Sequence, residues 1–487
     1  MKCSLKYFYF VFILVFLSVF DGRIAPALLA QNLIEIKPKI EIKDGKLLIG
    51  VKQYLGNNTK YPNNSDVLDF ETKNNLINLY DSKGLQYKSK KFKILFKKIS
   101  IEKPFLLERF ISGPYSSFET AKKRSNILEK KGFRPMIVNP DDWELWLPKE
   151  SKNITKENFK LKKIIIRSRS LPYLSDEYNS KQISGPIIIE SPENIKINNV
   201  PYGKKFYLVK DSYGSWTLIQ RITFEKYLRG VLPHEMGSNS PLEALKAQAV
   251  IARTWAIYNS DRFKSDNYHL CITTQCQVYK PYNSINKIID QAISDTANEI
   301  ITFGNSPINA FYHASNGGIS SQSNESWQIE EYPYFLSKFD FRNYSSFNPK
   351  YPIKNIKDLK VFIEDDPLKY FGYEHRLFRW EIKMSSQEIK SMLRKKNLIP
   401  KDNLISDIKV SKRGTSGRVT ALDIYTSTSN KLLTLRKDDI RRNLKFLPSN
   451  LFIINKLNDN LWVFSGGGFG HGVGLSQSGA IQMAKFG

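Results

Sequence analysis

The sequence predicts an α+β fold: a strand-rich N-terminal region, then a large mixed α/β domain with a buried helix of small residues at about 240–258. Short runs of branched and aromatic residues, broken by Gly, Pro, Asn and Asp, recur through the first half and read as strands. Leu242, Leu245, Ala249, Ala252 and Ala256 recur at helical spacing, and such small side chains let a helix sit close to its neighbours. The chain has 487 residues, 41% of them hydrophobic and 13% aromatic, which is enough for two or three cores. That composition excludes global disorder, and three cysteines are too few for a disulfide-stapled scaffold. Beyond the N-terminus no apolar run reaches 18 residues, which excludes a protein of many membrane helices.

The elements follow in order. Lys2 and Lys6 precede an uncharged run from Tyr7 to Phe20, and Ala25-Pro26-Ala27 or Ala30 offers a small-residue cleavage site. This is the pattern of an export signal over residues 1–30, with an uncleaved anchor as the alternative. Either reading places the protein outside the cytoplasm, in the periplasm or cell wall. Residues 33–51 alternate as a strand through Ile34, Ile36, Ile40 and Ile42 and include an Asp44-Gly45 turn, while 56–75 read as loop. From Pro104 to Pro148 the order is strand, helix, strand, strand: Phe105–Phe110, a helix with Phe118, Ala121 and Leu128 closed by Gly132, then Met136–Val138 and Trp143–Leu147. Ser116 and Glu119 have the spacing of a capping box for that helix. This unit, with Gly113-Pro114 before its helix, resembles a sporulation-related (SPOR) repeat, which implies binding to glycan strands stripped of peptide.

Residues 149–163 hold six lysines and two glutamates and read as a linker. The division expected is therefore signal 1–30, an N-terminal region 31–148 with the SPOR-like unit at 104–148, linker 149–163, and one large domain 164–487. Within the last, Ile187–Ile189, Ile195–Ile197, Phe206–Val209 and Trp216–Ile219 are strand-like. The helix near 240 has Ser240 as its expected N-cap, Pro241 at its first position and Glu243 three residues after the cap.

Charge narrows the partners less than its size suggests. The 74 Lys and Arg against 47 Asp and Glu give +27, but the lysines are spread along the chain with no dominant basic block. A polyanion such as an anionic wall polymer fits both charge and export; nucleic acid fits the charge alone and is not expected as a partner.

Glu235 stands out among the carboxyls. It follows Pro233-His234, precedes a Gly-Ser-Asn-Ser loop, and has no helix start to cap. A carboxyl at the edge of a buried element can have the raised pKa that a general acid needs. Farther on, His313-Ala314-Ser315-Asn316 precedes a Gly-Gly turn. Gly466–Gly474 has six glycines in nine positions around His471, followed by Ser476-Gln477. Glycines at that density permit close backbone approach, and the loop has no Lys-Ser/Thr ending of a phosphate loop. His313, Ser315, Asn316, His471 and Gln477 are candidate substrate contacts, with structural histidines and turn-making as the alternatives; Tyr279 is a further candidate.

His269, Cys271 and Cys276 fall within eight residues. They read either as three ligands of a structural zinc or as a Cys271–Cys276 disulfide, which export favours. The spacing lacks the H-E-x-x-H arrangement of a hydrolytic zinc enzyme, so no cofactor is expected for catalysis.

The segment FEKYLRGVLPHEMGSNSPLEALKAQAVIARTWAIY at 224–258 resembles the stage II sporulation protein D family, which includes the amidase enhancers. HLCITTQCQVY at 269–279, FYHASNGGISS at 311–321 and GGGFGHGVGLSQSGAIQMAKFG at 466–487 extend the resemblance over about 185–487. It implies a lytic transglycosylase acting on peptidoglycan glycan strands, with Glu235 of the P-x-E-M segment as acid and base. A zinc near 269–276 is a further implication. The alternative it implies is a non-catalytic enhancer of an N-acetylmuramoyl-L-alanine amidase, which would then be a partner. Two departures from the family pattern are Ser478, where an aromatic is common, and the end at Gly487, where a tyrosine-rich segment usually follows.

Overall fold

The computed structural model describes residues 45–56, 67–154, 157–176, 180–281, 286–342, 350–353, 355–400, 404–426 and 429–487. The expected signal, the strand-like alternation before Gly45 and its Asp44 lie outside them. The described residues fall within one compact unit, 40–487. Among them no helix is long and apolar enough to cross a membrane.

Leu47, Ile49 and Val51 alternate inward and make Lys46–Leu55 a strand with a buried face. It pairs antiparallel with Trp216–Thr223 on one side and parallel with Leu270–Cys271 on the other. The sheet continues through Lys205–Lys210, Ile187–Glu190, Ile77–Tyr80 and Gln86–Ser89. A second sheet is built on the 25-residue strand Lys91–Tyr115, which pairs with Val67–Glu71, Trp143–Pro148 and Lys160–Ser175. The fold is α+β with a strand-rich N-terminal region, as the sequence predicts.

Two features differ from expectation. Part of the 56–75 segment is not loop: Val67–Glu71 is a strand, because Leu68 and Phe70 alternate into the core between the charged residues. Residues 149–163 do not separate two sheets either. The strand Lys160–Ser175 begins inside that segment, and both sheets take strands from either side of it. Lysine-rich composition there reflects the exposed face of an edge-lying ribbon rather than a linker.

Helix α1 (Phe118–Lys130) follows its strand as expected and is followed by Met136–Val138 and Trp143–Pro148. Its cap is Ser117, whose hydroxyl accepts from the Thr120 N–H; Ser116 instead donates to Asp439. Glu119 makes an ion pair with buried Arg262 rather than closing a capping box.

Helices α2 (Phe224–Glu235) and α3 (Leu242–Tyr258) pack over the first sheet. Leu228, Val231 and Leu232 of α2 and Ala244, Leu245, Ala249, Ala252 and Ala256 of α3 share one core with Leu47, Ile49, Phe206 and Leu218. Pro241, not Ser240, is the N-cap of α3, and no side chain caps it. Ser240 turns back to donate to the Met236 carbonyl at the end of α2, while Glu243 is exposed and pairs with Lys246. Toward the C-terminus a second core joins the strands Ile405–Arg413, Val419–Thr426, Phe452–Asn458 and Leu461–Gly466 with the helix Ser386–Lys395.

Candidate active site

Glu235 is the last residue of α2. Pro233 in the final turn has no N–H to give, and Gly237 at φ +85° turns the chain away, so the helix ends with its last side chain free to face other segments. Glu235 Oε1 accepts the Val278 N–H at 2.6 Å. The Tyr312 hydroxyl and the Gln477 side chain also approach this carboxyl. Gln477 opens the last helix, Gln477–Phe486, with Ser476 as its cap, and its Nε2 reaches Gln248 Oε1 of α3 at 3.5 Å.

Four distant segments thus meet at one carboxyl: the end of α2, the 276–279 turn, the short strand Tyr312–His313, and the start of the final helix. Burial raises the Glu235 pKa above the ordinary carboxylate value; the Val278 N–H, Tyr312, Gln477 and His234 pull it part of the way back. A half-buried carboxyl of this kind keeps its proton to higher pH than an exposed one and can give it to a bound oxygen.

The 276–279 turn is fixed from both sides. Tyr227 donates to Gln277 Oε1 at 3.0 Å, and Gln277 Nε2 donates to the Ala252 carbonyl at 3.3 Å, tying the turn to α2 and α3. Tyr279 stacks on Tyr227 with ring centroids 5.4 Å apart and donates to Gln220 Oε1. It is buried behind α2, so it supports the helix rather than facing Glu235.

The strand Tyr312–His313 pairs in parallel with Leu475–Ser476. Successive side chains of a strand point to opposite faces. Tyr312 goes to Glu235, and His313 goes to the other side, where its ring lies 5.3 Å from that of His471. His471 is boxed by Phe311 and Trp327 and its Nδ1 accepts the Val473 N–H. Burial, with Arg418 nearby, pushes His313 down to about 3; burial and the neighbouring His313 hold His471 far below its usual value. Both rings are neutral, and neither touches Glu235.

Ser315 and Asn316 are buried in the turn. Ser315 exchanges backbone hydrogen bonds with Phe469, while the Asn316 side chain accepts from Gly318 N and donates to Asp340. Of the expected contacts, then, Gln477 lies at the carboxyl, and His313, Ser315, Asn316, His471 and Tyr279 form the walls behind it. Tyr312 escaped the sequence reading although it sits in the quoted 311–321 segment. Strand alternation next to His313 was the available signal.

Cys271 and Cys276 form a disulfide, with Cα atoms 5.7 Å apart. His269 Nδ1 accepts the Leu48 N–H at 2.9 Å, and burial lowers its pKa to about 4. With both sulfurs joined and one ring nitrogen used, these three residues do not fit a zinc centre in this state. Among the described residues no group of three His, Cys, Asp or Glu side chains is placed to hold a metal ion.

Comparison with known proteins agrees with the geometry. Residues 212–303, which carry Glu235 and the disulfide, match the model of a family described as stage II sporulation protein. The chain is similar to the stage II sporulation protein D and amidase-enhancer family. Residues 321–474 match a second model, described as a domain of unknown function. An uncharacterized protein of Brachyspira hyodysenteriae is 29% identical over 308 residues, covering 61% of this chain and 71% of that protein. The stage II sporulation protein D of Bacillus subtilis is 28% identical over 284 residues, 55% of this chain and 71% of the relative. The amidase enhancer of Bacillus subtilis is 26% identical over 277 residues, 53% of this chain and 38% of the relative. The sporulation-protein match ends at 303, so Tyr312 and Gln477, the two side chains that approach Glu235, come from outside it.

Proposed function

We propose that the protein is an exported, peptidoglycan-active lytic transglycosylase with Glu235 as its acid and base. The observation that carries this reading is the convergence of four segments on one half-buried carboxyl whose pKa is raised. Glu235 gives its proton to the oxygen of the MurNAc-GlcNAc bond as the bond from the muramyl C1 breaks. The resulting carboxylate takes the proton of the same sugar's 6-hydroxyl, whose oxygen closes on C1 and leaves a 1,6-anhydro end. One carboxyl suffices for this sequence, unlike the pair required for hydrolysis. The Tyr312 hydroxyl, buried near Glu235 without a hydrogen-bond partner of its own, and the Gln477 amide would steady the carboxylate between the two proton transfers. Peptide-stripped strands are the expected substrate and no cofactor is required.

A second reading is favoured by the relative named amidase enhancer: a non-catalytic wall-binding protein that stimulates a separate amidase. Incubating the purified protein with intact and amidase-stripped sacculi separates the two. Soluble anhydro-ended fragments from wild type, absent with Glu235→Gln, are the expected result. Binding without release from either substrate would leave the enhancer.

A further inference from the structure

We infer that Arg418 and Arg441 form a recessed binding site for a small oxyanion, a carboxylate or a phosphate. It lies on the face of the Tyr312–His313 strand that turns away from Glu235, and it does not depend on the proposed glycan cleavage.

Arg418 precedes the strand Val419–Thr426 and is 1% exposed. Its guanidinium lies flat against the glycine-rich loop: a Cβ on Gly472 would come within 2.4 Å of Nη2, so only glycine leaves it room. Nη2 donates to the Asn316 carbonyl at 2.9 Å, while Nε and Nη1 are buried without a protein partner. Arg441, on the short helix Asp438–Asn443, comes close enough to repel Arg418. Its Nε is buried and unpartnered, and among the described residues no hydrogen bond or ion pair of its side chain is found. His313 donates its Nδ1–H to the Val473 carbonyl, so in the neutral ring the unpartnered Nε2 is an acceptor and adds no donor to the site.

Among the described residues no carboxylate bonds these guanidinium nitrogens. Glu325 attracts Arg418 from a distance but is held by Ser321, Thr415 and Ser416. Asp438, one turn before Arg441, accepts from Ser117 and Thr120 through Oδ2, and its Oδ1 is buried without a hydrogen-bond partner, so it bonds neither arginine. Arg418 thus has one remote countercharge, and Nε and Nη1 of Arg418 and Nε of Arg441 are left without an acceptor. Burying a charge without a partner is costly, and guanidinium donors are matched to carboxylate and phosphate oxygens. Arg441 and His471 each keep some accessible surface, which marks the route in.

Inorganic phosphate and acetate are titrated separately into the purified protein at constant ionic strength, with Tm and calorimetric heat as readouts. A saturable rise of about 3 °C at a hundredfold excess over Kd is expected from at least one of them. Arg441→Met should weaken that binding at least tenfold, and without added anion it should melt no lower than wild type because the repulsion is gone. Response to phosphate alone identifies a tetrahedral ligand, and to acetate alone a carboxylate. No saturable response to either, or an equal response from Arg441→Met, overturns the site. Should that variant fail to fold, crystals of wild type grown with phosphate decide: an ion between Arg418 and Arg441 supports the site, and water alone overturns it.

Discussion

A carboxyl that serves first as acid and then as base must hold its proton without being sealed from its substrate. Glu235 meets both conditions by position: burial raises its pKa, while the end of α2 leaves it partly exposed. In the proposed reaction the acid form starts the cleavage, so activity should fall as pH rises through that raised value, and the alkaline limb of kcat/KM should lie above the ordinary carboxylate range. Tyr312 lowers the pKa by favouring the charged form, and Tyr312→Phe should therefore shift the limb to higher pH as well as slow turnover. Stability carries the opposite signature. The folded state holds the Glu235 proton more tightly than the unfolded chain, so wild type loses stability as pH rises from the ordinary carboxylate value to the raised one. Glu235→Gln keeps an acceptor for the Val278 N–H and has no charge to bury. Urea unfolding from about pH 4 to 8 should find the gap between variant and wild type widening in the variant's favour with rising pH. Glu235 stood out in the sequence because no helix start explained it and because it falls in the P-x-E-M segment of the resembled family. Tyr312 was not, since its role depends on which face of a two-residue strand it occupies, and nothing in composition sets that.

At the scale of elements, the site depends on how near α2 comes to the 276–279 turn. Gly230 sets that distance: a Cβ there would lie 2.4 Å from the Tyr279 ring and 2.6 Å from the Lys280 carbonyl. Gly230→Ala should cost about 1–3 kcal/mol in urea unfolding and lower activity together with stability, because the turn carries the Val278 N–H. The small-residue face of α3 was readable from its spacing, since close packing needs small side chains wherever the partner comes from. The caps were harder to read. Ser116 and Ser117 are chemically equivalent, and a one-residue difference in where the chain enters α1 decides between them. Ser240 satisfies the end of α2 rather than the start of α3, a choice made by a turn whose geometry depends on both helices.

For the molecule as a whole, the instructive difference is the expected boundary at 149–163. Local composition marks a lysine-rich stretch but does not reveal that Lys46–Leu55 lies between Trp216–Thr223 and Leu270–Cys271. A chain beginning at residue 164 should therefore fail to give a cooperative thermal transition, whereas one beginning at residue 40 should give it. The charge of +27 belongs to this scale too. If it holds the protein on an anionic wall, sacculus binding should weaken steeply as salt is raised, and an unchanged affinity at high salt would show the charge to be incidental. The interleaved strand also has a bearing on biogenesis. Residues 46–55 leave the ribosome, or a membrane pore, long before the partners that flank them, and no hydrogen-bonded neighbour exists for either edge until residue 216 has emerged. The chain therefore cannot be finished piece by piece from its front end. The first edge of that strand waits for residues 216–223 and the second for residues 270–271, beyond the midpoint of the chain.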